Sequence, residues 1–223
     1  MTFNQWCKTM WLKWGLLISG WMLIFMVFNW NSWSTSLKCV ATIAALIPVH
    51  ATEEWIFPGG FAFQYNTFLN KSKYPSCYPM NRASDMFTVL LTTIMYAIIT
   101  LFFIFTKKAV PSGVLLGATC FSVLEVSVHT FFGIKAYLTF KDQGKTTIYG
   151  TGSITAYTGF LILGIIMIQE IMAVGITSQD ILICILILAL TSVFVFVPEI
   201  IFKDKHSIYA YDNNGYYDRF IKK

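Results

Sequence analysis

Three ionisable side chains lie close together in the stretch VHATEEWIFPGG, at the end of an apolar run. They are His50, Glu53 and Glu54. On a helix, offsets of three and four residues bring both carboxylates within reach of the imidazole. Ionisable groups at membrane depth are costly, and they usually face a cavity or a partner. This stretch is therefore the first candidate for a functional site, either for binding a metal ion or for transferring protons.

A second pair of the same residue types follows further along the chain, where Glu125 and His129 are spaced by four. This spacing places both side chains on one face of a helix. Two imidazoles and two carboxylates can hold a zinc ion or a di-metal centre when they project inward from facing helices of a bundle. We expect His50, Glu54, Glu125 and His129 to be metal ligands, with zinc or iron as the divalent ion.

The same residues allow two other interpretations. In the first, Glu53, Glu54 and His129 are catalytic residues that act as general acids and bases without a metal, since carboxylic acids and imidazole are common proton donors and acceptors in enzymes. In the second, each histidine pairs with the carboxylate four residues away, and both pairs serve only the packing of the helices. The sequence leaves these alternatives open and indicates no other cofactor.

The composition indicates that these residues belong to an integral membrane protein. The chain is 56% hydrophobic and only 12% charged, and its mean hydropathy is +0.63, whereas about 25% of an ordinary soluble domain is charged. The apolar runs reach the roughly 20 residues that a helix needs to cross a bilayer. We therefore predict an all-α integral membrane protein, a single polytopic domain over residues 1–223 that forms a bundle of about six transmembrane helices.

Six apolar runs, separated by polar breaks, are the candidate spans. Their approximate bounds are Trp11–Asn29, Leu37–Glu54, Met86–Phe105, Val110–Ile134, Ser153–Gly175 and Ile181–Phe202. The second run is the shortest and ends in the charged cluster, which predicts a water-filled vestibule at that point. The long connection of residues 58–84 is interrupted by prolines and has an aromatic first half. We expect an interfacial or re-entrant segment there, covering the site, with a plain surface loop as the alternative.

The distribution of lysine and arginine predicts the orientation of the spans. Thirteen of these residues fall on the side that contains both termini and the second and fourth loops, whereas the other side has three, Lys38, Lys107 and Lys108. We therefore expect a multi-pass protein of the cell membrane with both termini in the cytoplasm, including a tail of residues 203–223. Both His–carboxylate pairs would then lie at similar depth near the cytoplasmic side.

The net charge of +5 is explained by this topology and by anionic membrane lipids as partners. This charge does not call for nucleic acid as a partner.

A third stretch of interest, Tyr149-Gly150-Thr151-Gly152, precedes the fifth span on the same side as the cluster. Glycines allow tight turns and expose backbone amides that can hold an anionic group. Tyr149, Gly150 and Gly152 are therefore candidates for binding the headgroup of a substrate. A simple turn at the start of the helix is the alternative.

Together, HATEE at residues 50–54, His129 and YGTG at residues 149–152 resemble the three signatures of the HXXEE domain family, membrane proteins of bacteria whose activity is not established. The resemblance covers roughly residues 44–175. The first signature is specific in context, because Trp55 and the PGG that follows also occur in members of the family. Thr151 stands where the third signature usually has proline. The resemblance supports the choice of site residues and implies no reaction.

A weaker likeness connects the chain to the intramembrane glutamate proteases of prenyl-protein processing, which also place a Glu-Glu pair and histidines on separate helices. Pro58 stands where those proteins have arginine. Three classes of function remain open. The first is a membrane-embedded hydrolase or transferase, metal-dependent or acid–base, that acts on a lipid, an isoprenoid or a membrane-anchored substrate. The second is a proton- or ion-coupled carrier or lipid-binding protein, and the third is a non-catalytic accessory subunit.

Overall fold

In a computed structural model, which describes residues 2–221, the chain folds into helices, and these residues contain no strand. Six helices are long and apolar enough to cross a membrane. They are α1 (Trp11–Phe28), α2 (Thr35–Trp55), α3 (Arg82–Thr106), α4 (Ser112–Phe140), α5 (Ser153–Val174) and α6 (Ser178–Phe202). The predicted all-helical fold with six such helices is confirmed. Lys222 and Lys223, which contributed to the orientation argument, lie outside the described residues.

Several helices extend beyond the predicted runs, α3 and α4 the furthest, because hydropathy marks the apolar middle of a helix and not its ends. α3 begins at Arg82 because Asn81 caps it, with its side-chain oxygen accepting from the backbone N–H groups of Ala83 and Ser84. The Ser84 hydroxyl accepts from the Asn81 N–H in return and completes a capping box. α4 continues to Phe140, whose ring is buried in a second apolar cluster at this end of the bundle.

The packing places α2 and α4 in the interior. α2 packs against α1, α3, α5 and α4, while α4 packs against α5 and α6, and α3 closes the bundle against α6. α2 is accordingly the most buried of the six long helices. The facing sides of α2 and α4 therefore contain buried side chains such as Ala44 and Ala118.

The connection between α2 and α3 contains a short helical stretch, Phe61–Gln64 continuing as Tyr65–Leu69, which we call the cover segment. Its Phe63 ring stacks on Tyr217 of the C-terminal stretch, with ring centroids 4.9 Å apart. The Tyr217 hydroxyl donates to Gln64 Oε1 at 2.5 Å, and Gln64 Nε2 donates to the Thr151 carbonyl at 2.9 Å. The residues after α6 thus hold the cover segment against the end of the bundle.

Candidate metal centre

His50 of α2 and His129 of α4 meet in the interior of the bundle. Their Nε2 atoms are 3.0 Å apart and their ring planes are nearly perpendicular, at 85°. Both side chains are buried. The geometry confirms the expectation that the two His–carboxylate pairs lie at similar depth on facing helices.

The carboxylates of Glu54 and Glu125 complete the cluster. Glu54 Oε1 lies 3.4 Å from Nε2 of each histidine. Glu125 Oε2 lies 3.4 Å from His50 Nε2 and 3.5 Å from His129 Nε2. Each carboxylate therefore contacts both imidazoles and not only the one on its own helix. Two separate intrahelical pairs do not describe this arrangement.

The distances in the cluster test whether these residues fit a metal ion. A charged N–H that donates to a carboxylate typically spans about 2.7–2.9 Å. Two ligand atoms that each lie about 2.0–2.2 Å from one ion are instead about 3.0 Å apart if the ligand–metal–ligand angle is a right angle. They are about 3.4 Å apart if that angle is tetrahedral. The observed separations run from 3.0 to 3.5 Å. The nitrogen and oxygen donors present thus fit a divalent metal.

Three of these residues form a compact group that could hold a metal ion. One ligand atom each from His50, Glu125 and His129 lies within 4.8 Å of the other two. Glu54 is not in this group, although its Oε1 is as close to both imidazoles as Glu125 is. The three-residue group defines a ligand set of the usual catalytic size. Glu54 lies beside it, close enough to be a fourth ligand or to accept a proton.

Glu53 faces the start of α5 instead of the cluster. Its Oε1 accepts from the Tyr149 hydroxyl and the Ile154 N–H, both at 3.0 Å. Its Oε2 accepts from the N–H and the hydroxyl of Thr155, at 2.9 and 2.6 Å. These four donors fill the acceptor positions of a carboxylate, and the negative charge lies at a helix N-terminus, where the dipole favours it. Glu53 thus fixes α5 against α2.

Thr155 links Glu53 to His50. Its hydroxyl donates to Glu53 at 2.6 Å, a shorter contact to a charged acceptor than the 3.3 Å to the Gly152 carbonyl. Because the hydroxyl proton is donated to Glu53, the hydroxyl oxygen can accept a hydrogen bond from His50 Nδ1, at 2.6 Å. Neutral His50 then carries its proton on Nδ1 and leaves Nε2 free. Metal-binding histidines usually have their second nitrogen fixed in this way.

Gly152 packs its backbone directly against the His129 ring. Its φ of +89° is in the left-handed region, and a Cβ at this position would lie 2.1 Å from His129 Cε1. The Phe61 ring of the cover segment also lies near the His129 ring, with centroids 5.7 Å apart. His129 Nδ1 has no hydrogen-bond partner among the described residues. On its Nδ1 side, packing and not a hydrogen bond therefore orients this imidazole.

The stretch Tyr149-Gly150-Thr151-Gly152 thus helps to position the side chains of His129 and Glu53. The Gly150 N–H donates to Ser153 Oγ at 3.1 Å, and the Tyr149 hydroxyl is bonded to Glu53. That Tyr149, Gly150 and Gly152 also bind a substrate headgroup stays a prediction.

A cavity of about 160 Å³ lies next to the cluster. An engineered apolar cavity of about 150 Å³ binds benzene, so this one has room for a small reacting group. His50, Glu54 and Glu125 line its polar part, and Phe61 and Tyr65 of the cover segment contribute to its wall. Most of the remaining wall is apolar, from Ile47, Met80, Val89, Phe121, Leu124, Val128, Phe160 and Val195.

Asp85 also lines this cavity, whereas the sequence made it only a weaker site candidate and favoured a charge at a helix N-terminus. It is buried and accepts a hydrogen bond from the Tyr211 hydroxyl at 2.8 Å. Burial raises the pKa of Tyr211, so this hydroxyl keeps its proton and remains a donor. In the sequence, Asp85 is explained by its place in the first turn of α3. The contact of Asp85 with Tyr211 and the cavity becomes visible only once the residues after α6 have packed against α3.

The π-helical turn Ala156–Phe160 within α5 lies at the same site. Phe160 contacts His50 edge-on, with ring centroids 5.2 Å apart. Such turns occur frequently at functional sites. Neither Thr155 nor this turn could be inferred from the sequence, apart from their position directly after the YGTG stretch.

A sequence profile of the family described as "protein of unknown function with HXXEE motif" matches residues 41–167, more than half of the chain. The chain belongs to the HXXEE family. In this HXXEE protein the three ionisable residues of the motif have two different functions in the fold, since His50 and Glu54 face α4 whereas Glu53 anchors α5. No curated protein and no solved structure matches the chain.

Proposed function

We propose that the protein is an integral membrane enzyme with a divalent metal centre, a hydrolase or transferase that acts on a lipid, an isoprenoid or a membrane-anchored substrate. The set of 3.0–3.5 Å separations between the imidazole nitrogens and the carboxylates carries this proposal. Contacts of this length are long for charged hydrogen bonds and suit ligands around one ion. Imidazole with carboxylate suits zinc, and also iron.

His50, Glu125 and His129 would hold the ion, with Glu54 as a fourth ligand or as the general base. A bound divalent ion supplies a Lewis acid and acidifies water. Glu54 lines the cavity and its Oε1 faces both imidazoles, so it is placed to take a proton from an attacking nucleophile. For Glu53 we propose a positioning role in place of the catalytic one, because its acceptor positions are filled by donors of α5 and the preceding turn.

The surface of the bundle supports a membrane location and an apolar substrate. Large apolar side chains are exposed along the outer faces of α5 and α6, including Leu161, Ile165, Ile168, Leu182, Ile185, Leu186, Val193, Ile200 and Ile201. Leu124, in the wall of the cavity, is 53% exposed on the outside of α4. If the bundle spans a bilayer, this wall faces acyl chains, and an apolar substrate can reach the cluster from within the membrane.

We expect reporter fusions at Lys71 and after Lys223 both to report the cytoplasm. The reason is the excess of lysine and arginine on the side of the termini, thirteen against three. A fusion at Lys107, in the connection between α3 and α4, is the control and should report the opposite side. An exterior signal at Lys71 would contradict the proposed orientation.

Elemental analysis of the detergent-purified protein tests the metal centre directly. After growth with added zinc and iron, the wild type should carry on the order of one divalent ion per chain, as a single site of this kind holds. His50→Ala should lose it. His206→Ala is the matched control, because His206 is exposed and outside the cluster, and it should retain the wild-type metal content. A metal-free wild type would contradict the proposal.

A further inference from the structure

Lys145 is a buried cation that has no carboxylate partner among residues 2–221. Its side chain is only 2% exposed. The ammonium donates to the Tyr149 carbonyl at 2.6 Å and to the Tyr216 hydroxyl at 2.9 Å. An ammonium has three donors, so one remains. Lysines are almost never fully buried unless they are paired, so the remaining donor of Lys145 is available to a negatively charged ligand.

Arg219 adds a second positive charge at the same place. Its guanidinium carbon lies 4.0 Å from the centroid of the Tyr216 ring, and Lys145 Nζ lies 4.6 Å from that centroid. No described carboxylate forms an ion pair with Arg219 either. The two like charges repel each other, and an anion bound between them would offset that repulsion.

Both side chains line a pocket of about 360 Å³. The other lining residues are Gly144, Thr146, Thr147, Tyr216 and Phe220. The pocket therefore offers an ammonium, a guanidinium and hydroxyl groups, and it contains no carboxylate. None of these residues lines the cavity at the metal cluster. The pocket is a separate site, located beyond the end of α4.

We propose that this pocket binds a phosphate group, either on the headgroup of an anionic lipid or on a soluble phosphate compound. The free N–H of Lys145 and the forked N–H groups of Arg219 would bind the phosphate oxygens, with Thr146 and Thr147 as further hydroxyl donors. The position after the last turn of α4 is at headgroup level if α4 crosses the membrane. This function goes beyond the proposed metal-dependent reaction and does not depend on it.

Titration of the full-length protein in detergent separates the two sources of phosphate. Calorimetry with inorganic phosphate measures the soluble ligand, and native mass spectrometry with phosphatidic acid against phosphatidylcholine measures the lipid. Lys145→Met and Arg219→Gln should each weaken phosphate binding by about tenfold or more, the effect of losing one hydrogen bond between charged groups. Lys141→Gln is the matched control, since Lys141 is exposed close by and does not line the pocket, and it should change binding less than about twofold.

Saturable binding of inorganic phosphate that both pocket variants weaken supports a soluble ligand. Selective retention of phosphatidic acid, weakened in the same variants, supports a lipid headgroup. Lys145 also holds the Tyr149 backbone, so Arg219→Gln, which changes an exposed side chain, decides the test if Lys145→Met does not fold. The proposal is overturned if neither ligand binds saturably, or if Lys141→Gln weakens binding as much as Arg219→Gln does.

Discussion

Replacing His129 with glutamine is expected to remove the metal from the centre while leaving the protein folded. His129 Nε2 lies 3.4–3.5 Å from Glu54 and Glu125 and 3.0 Å from His50 Nε2, so it contacts each of the other three candidate ligands. An amide is a poor substitute for imidazole nitrogen. Loss of an outer-shell partner alone typically costs about 10–100-fold in metal affinity, so loss of this ligand should exceed that range. Any activity that depends on the ion should disappear with it.

Metal content, melting temperature and activity should be measured in one preparation, with His206→Gln as the control for the substitution itself. A folded His129→Gln protein that keeps its metal and full activity would contradict a role of this residue in the centre. A variant that fails to fold would instead indicate structural pairing, because Glu125 would be left with one imidazole fewer in the interior.

Gly152→Ala is expected to be among the most destabilising single substitutions in the chain. The new methyl group would lie 2.1 Å from His129 Cε1 and 2.6 Å from Nδ1, and the ring is buried, with Phe61 also packed near it. Overpacking costs about 1–3 kcal/mol, and a left-handed conformation costs alanine about 1–2 kcal/mol more. Thermal unfolding should report the loss, and the displaced imidazole should also lower the metal content.

Gly175→Ala separates the two causes. Gly175 also has a positive φ, +90°, but a Cβ there would meet no atom within 4 Å. Its ψ of 179° makes the conformation at least as unfavourable for alanine as that of Gly152. A larger drop in melting temperature for Gly152→Ala therefore measures the contact with His129. A smaller drop for Gly152→Ala than for Gly175→Ala would argue against a costly contact with His129.

The long helices could be predicted from the sequence because hydropathy and length decide whether a segment can cross a bilayer. Their ends could not, since the start of α3 depends on the Asn81 cap and the end of α4 on burial of Phe140 against residues after α6. The meeting of His50 with His129 was also within reach of the sequence. The helical spacing of each pair and the number of spans between the two histidines were enough to predict it.

The assignment of the two motif glutamates was beyond the sequence. Glu53 and Glu54 are both within helical reach of His50, and nothing local distinguishes them. The distinction comes from α5, whose first N–H groups and Thr155 hydroxyl bond Glu53 from 102 residues away. Gly152 shows the same limitation, because its contact with His129 exists only after α4 and α5 have packed. Residues that position a site through long-range contacts have no local pattern by which they can be found.

The bond between Tyr217 and Gln64, 153 residues apart, sets an order of events during synthesis. The ribosome releases α2 and α4, with all four residues of the cluster, long before Tyr217 exists. Until that residue emerges, the cover segment lacks the aromatic stack and the hydrogen bond that hold it against the bundle. The residues of the centre can therefore come together before the contacts of Tyr217 enclose them.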